Sequence, residues 1–261
     1  MKRILLFLVA VTTLFACKNN KPVEESIQFT QDEKNRAIEI LELYCNVDSQ
    51  VIEERHRLYQ LMLDYTEPKE MVTDEDRGYF LWNLAHIDSV VAKGIDFVLT
   101  DKNSELLNML EAELKRFYGH PHNTVDNELA LHELMTTLYT KKDMPQEEFF
   151  KKQLWMYNWS VMHCEMFETK PAFYTDLLMH VLGCNIVLEQ YEAAIQCGSK
   201  LTAHTLQTSD EEALVYSTIL LAYSYGALDM RQQQDSCNSS IEHLKSLYPE
   251  ACELAWQLLN R

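Results

Sequence analysis

The chain has 261 residues, 47% of them hydrophobic, and sets 23 Lys and Arg against 40 Asp and Glu, a net charge of −17 at pH 7. Such an acidic balance repels nucleic acid phosphates and anionic lipid headgroups, so it excludes a nucleic acid partner and favours a basic one. Six glycines and six prolines, about 2% each against typical usage of ~7% and ~5%, leave few turns and imply long regular elements.

Lys2 and Arg3 open the chain, an apolar run follows from Ile4, and Leu14-Phe15-Ala16-Cys17 closes it. The run to Ala16 is too short for the ~20 residues of a membrane-spanning helix and has the flanks of a cleavable signal. This stretch resembles a bacterial lipoprotein signal ending in a lipobox. The resemblance implies that residues 1–16 are removed and that Cys17 is lipidated, as with palmitate. It also implies that the protein is membrane-anchored in the cell envelope, with the outer membrane as the expected location. Two acyl chains hold a protein stably where one does not. Lys18 to Ser26 are polar and contain Pro22, so residues 17–28 read as a tether. Taking Lys2 and Arg3 from the 23 basic residues leaves 21 against 40 acidic ones.

Residues 29–118 read as an N-terminal helical region, a less regular bundle. Ala37, Ile38, Leu41, Tyr44 and Cys45 recur at three- and four-residue spacing, followed by Val51, Leu58, Met62 and Tyr65. Phe80, Leu84, Ile87, Val91, Ile95 and Val98 continue the pattern, and Leu106, Leu107, Leu110, Leu114 and Phe117 form the next stripe. Thr30 with Glu33, Thr73 with Asp76, and Ser209 with Glu212 fit a capping box or its Asp variant, each opening a helix. Pro145 and Pro171 precede apolar-periodic segments, where a missing amide proton costs little.

Gly119-His120-Pro121-His122-Asn123 is the clearest internal break. His120, His122 and Asp126, with Glu128 and His132 one helical turn apart behind them, form the candidate metal site, because imidazole and carboxylate suit zinc or another divalent ion. The spacing matches no strong motif, and His132-Glu133-Leu134-Met135 lacks the second histidine of H-E-x-x-H. No cofactor is called for.

The region 124–261 predicts helices over 125–140, 146–168, 172–189, 191–206, 210–228 and 231–247, in units of about forty residues. Ala251 to Leu259 closes the series as a short cap. Leu182-Gly183, then Leu188-Glu189-Gln190-Tyr191-Glu192-Ala193-Ala194-Ile195 and Lys200-Leu201, resembles a tetratricopeptide repeat. Gly183 to Tyr191 is one residue shorter than that family's interval, and Ile186 stands where an aromatic is common. Ala222, Tyr225, Cys237, Leu244 and Pro249 suggest a second unit with an inter-helix turn about three residues longer, and residues 125–168 show hairpin periodicity alone.

The expected fold is therefore all-α, a tetratricopeptide-like right-handed solenoid of helical hairpins behind the N-terminal bundle. The resemblance implies a scaffold or adaptor that binds a protein or peptide in a groove. First-helix residues Leu178, Asn185 and Tyr225 are expected to line it. In the aromatic stretch Trp155, Tyr157 and Trp159, the pair Trp155 and Trp159 shares one helix face and suits a partner or a glycan. A small-ligand or glycan-binding envelope lipoprotein is the alternative.

Cys45, Cys164, Cys184, Cys197, Cys237 and Cys252 make no C-x-x-C pair; they fall on or near apolar stripes, where free cysteine is usually buried. No G-x-S-x-G elbow, phosphate loop or dinucleotide fingerprint occurs, so no enzyme is expected.

Overall fold

The structure, a computed structural model, describes residues 28–42, 74–117, 125–166 and 173–260. The described residues are all-α and contain no strand. The chain divides into two compact units with the boundary between Asp143 and Met144. No helix among the described residues is long and apolar enough to cross a membrane.

The first unit contains helical residues 31–42 (α1), Asp74–Leu99 (α2), Asn103–Phe117 (α3) and Val125–Lys141 (α4). The capping box at the start of α1 forms in both directions: Glu33 N–H donates to Thr30 Oγ1 at 3.3 Å and Thr30 N–H to Glu33 Oε2 at 2.8 Å. Thr73 lies outside the described residues. Leu106, Leu110 and Leu114 form the buried face of α3, which packs between α2 and α4. At Gly94 a Cβ would lie 3.0 Å from Met109 Cε and 3.1 Å from Leu41 Cδ1, so the missing side chain lets α1, α2 and α3 close together. Ion pairs from Lys141 to Glu33 at 2.7 Å and from Arg36 to Glu133 at 3.1 Å tie α1 to α4. The helix 125–141, grouped by its sequence with the C-terminal region, belongs to this unit because Leu131, Leu134 and Leu138 turn into its core.

The second unit holds Gln146–Glu165 (α5), Tyr174–Val187 (α6), Tyr191–Thr208 (α7), Glu211–Ala227 (α8), Arg231–Lys245 (α9) and Pro249–Leu259 (α10). Consecutive helices from α5 to α9 pack in turn, and α6, α8 and α10 also touch one another. The core stripe runs through Leu177, Leu182, Leu201, Val215, Leu220 and Ala255. Gly198 is the point of closest approach in α7: a Cβ there would sit 3.2 Å from Leu221 Cδ1 of α8 and 3.6 Å from Leu182 Cδ1 of α6.

Two hairpins in this unit share one backbone path at an offset of forty residues. The first joins α6 to α7 through residues 188–190, and the second joins α8 to α9 through residues 228–230. Glu189 and Asp229 both take left-handed backbone, φ 56° and 57°. Gln190 N–H donates to the Asn185 carbonyl and Met230 N–H to the Tyr225 carbonyl, each at 2.9 Å. The turns are equal in length, which corrects the expectation of about three extra residues in the second. The sequence hides the equality because the second hairpin carries Tyr225, Arg231 and Gln234 where the first has Asn185, Tyr191 and Ala194.

The expected box of Ser209 with Glu212 does not open α8. Ser209 ends α7 in left-handed backbone, φ 58°, and its successor Asp210 takes over as cap, accepting from Ala213 N–H at 3.0 Å. One residue cannot hold left-handed backbone for the outgoing helix and extended backbone for the incoming one, so the cap moves on by one.

Candidate functional site

A groove of about 350 Å³ lies in the second unit, with α6 as its floor and α5 and α7 as its walls. Each helix contributes a stripe at i, i+3 or i+4, and i+7 spacing, which is one face of a helix. Leu178, Val181 and Asn185 come from α6, and Leu154, Asn158 and Val161 from α5. The α7 wall runs from Gln190 and Ala193 to Gln196, Cys197 and Lys200.

Asn185 is buried and donates Nδ2 to the Val181 carbonyl at 2.9 Å, which holds its amide against the groove floor. Cys197 Sγ donates to the Leu178 carbonyl at 3.4 Å, and burial pushes its thiol up to about 12. It is therefore protonated at neutral pH and inert as a nucleophile. Burial likewise raises Cys184 well above the usual thiol range. At one end of the groove, Lys200 Nζ and Tyr174 Oη both meet Glu165 Oε1 at 2.7 Å, a contact that straps α5 to α6 and α7. Burial and that bond to Glu165 raise the Tyr174 phenol above its ordinary value.

The structure brings Leu178 and Asn185 together in this groove. Tyr225 occupies the position equivalent to Asn185 in the second hairpin, is half-buried on α8 and does not line the groove. Trp155 and Trp159 are half-buried on α5 and lie about 100° round the helix from Leu154 and Asn158, so they too stand outside it. Tyr157, by contrast, stacks flat on His180 of α6, ring centroids 4.5 Å apart and planes inclined by 16°. Sequence reasoning missed Asn158, Gln190 and Gln196, because exposed amides on a helix carry no pattern until the neighbouring helices are placed.

Cys17, His120 and His122 lie outside the described residues; Asp126 falls in α4, which belongs to the first unit. Among the described residues no group of three His, Cys, Asp or Glu side chains is arranged to hold a metal ion. Among the described residues, Cys164, Cys184, Cys197, Cys237 and Cys252 form no disulfide with one another. A smaller cleft of about 80 Å³ opens where α6, α8 and α10 meet, edged by Asp176, Asp210 and Glu212. No protein-family model matches the chain, and neither the curated proteins nor the solved structures contain a match to it.

Proposed function

We propose that this protein is a lipid-anchored scaffold or adaptor of the bacterial cell envelope that binds a protein or peptide partner along a helical-repeat groove. The second unit is read as a tetratricopeptide-like, right-handed stack of hairpins. Three features support that architecture: equal turns, a forty-residue offset, and first helices α6 and α8 that lie side by side with α10 beyond. The anchor rests on the lipobox at Cys17.

The observation that carries the binding reading is the groove itself. Its floor carries Leu178, Val181 and Asn185, its rim is polar, and packed helices on three sides hold it open. A preformed concavity of that kind lowers the ordering cost of association.

The test is in-cell crosslinking from a photoreactive side chain at position 196, on the groove rim, compared with the same side chain at position 233 on the exposed face of α9. The expected result is one stoichiometric partner captured from position 196 and not from 233, with capture reduced in Cys17→Ala. No product, or the same products from both positions, would reject the groove as the binding site.

A further inference from the structure

We infer that the small cleft where α6, α8 and α10 meet anchors one lysine side chain of a protein partner. It is a second site, lined by different residues from the groove between α5 and α7, and it stands or falls independently of that groove. Thr175 and Asp176 enter it from the first turn of α6, Asp210 and Glu212 from the start of α8, and Leu254 from α10. Among the described residues that line it none is basic. In a chain of net charge −17 the field at such an edge draws in cations.

Acidity alone does not make a site; an unsatisfied hydroxyl points to the ligand. Thr175 is only 9% exposed, lines the cleft and makes no side-chain hydrogen bond. Its oxygen is not sealed in the core as that of Thr218 is, so a group in the cleft can complete it. Asp210 spends Oδ1 on Ala213 N–H and keeps Oδ2, and the Glu212 carboxylate makes no hydrogen bond or ion pair. Neighbouring Glu211 is already engaged, accepting from Tyr248 Oη at 2.6 Å. The cleft therefore offers acceptors from three side chains, and an ammonium brings three donors and no acceptor. A divalent ion fits less well, since no three acidic side chains among the described residues are arranged to hold one. Arginine's planar fork seeks both oxygens of one carboxylate, and Asp210 has one of its pair committed. At about 80 Å³ the cleft is far below the ~300–1,000 Å³ of a site for a free small ligand, and it suits the tip of one side chain. The rest of the affinity must come from what carries that side chain. Exposed Leu206, four residues before Asp210, and exposed Leu247, four before Ala251, flank the same end of the stack and give a partner segment apolar surface to cover.

A displayed library of random octapeptides, selected on the full-length protein in detergent and counter-selected on Glu212→Lys, tests the inference. Enriched sequences are expected to share one lysine with apolar neighbours. In a synthetic enriched peptide, acetylation of that lysine should weaken binding by roughly tenfold or more, and Glu212→Gln in the protein should do the same. Affinity should also fall as salt rises to ~0.3 M. Thr175→Val is the decisive variant because it alters no charge. It should weaken the lysine peptide by roughly tenfold, one hydrogen bond to a charged group, while the melting temperature stays level or rises, since the lost hydroxyl had no partner in the fold.

Enriched peptides that lack lysine, lysine peptides indifferent to Thr175→Val, or no enrichment over Glu212→Lys would each overturn the inference. Displacement of the peptide by n-butylamine at the peptide's own concentration would assign the cleft to a free amine and overturn the protein-borne lysine. None of these results bears on the groove, which the crosslink from position 196 tests separately.

Discussion

Acidification should weaken the second unit through one side chain, His180. Its ring stacks on Tyr157 with centroids 4.5 Å apart, and burial pushes its pKa down to about 4 from an ordinary 6.5. The folded state therefore binds its proton less readily than the unfolded chain does. A group with a depressed folded pKa contributes stability above the unfolded value and loses it as pH falls, here from about 6.5 towards about 4. Going from pH 7 to pH 5 the loss works out at about 1–2 kcal/mol, the lower end applying because the ring edge keeps some contact with solvent. His180→Phe keeps a ring against Tyr157 and removes the titration. Urea unfolding at the two pH values, followed by circular dichroism, should show the native protein losing that much more stability than the variant. The ring proton of His180, identified by its absence in the variant, should titrate near pH 4 in an NMR series. Equal pH dependence of the two proteins, or a ring titrating near 6.5, would refute the reasoning.

Two further outcomes follow from the packing. Gly198→Ala should leave the melting temperature nearly unchanged, because a helix-propensity gain of up to about 1 kcal/mol offsets the tight contact with Leu221, whereas Gly198→Leu should cost about 2 kcal/mol or more by forcing α7 away from α6 and α8. Asp210→Ala should cost about 1 kcal/mol in chemical denaturation through loss of the cap on Ala213 N–H, while Ser209→Gly, relieving left-handed strain, should be neutral or stabilising; the reverse order would return the cap to Ser209.

Much of this architecture is written in local chemistry. Apolar stripes such as Leu106, Leu107, Leu110 and Leu114 announce a helix because a 3.6-residue period needs only near neighbours to be recognised. The box of Thr30 with Glu33 is legible for the same reason, both partners lying within one turn. At Ser209 the same motif misleads, because two helices compete for the residue and the sequence pattern describes only one of them. The placement of Leu178 and Asn185 on one face of α6 follows from their spacing of seven; the exclusion of Tyr225, Trp155 and Trp159 does not, since it depends on where α5, α7 and α8 run.

The sequence by itself determined the all-α class and the near-positions of the helices from Gln146 to Leu259, all of them set by interactions within a few residues. The tertiary structure alone decided that helix 125–141 joins the first unit, that the second turn equals the first, that Asp210 caps α8, and that exposed amides at Asn158, Gln190 and Gln196 rim one groove. Those outcomes depend on which helix faces meet, and the energy of that meeting is spread over side chains far apart in sequence, where no local period records it.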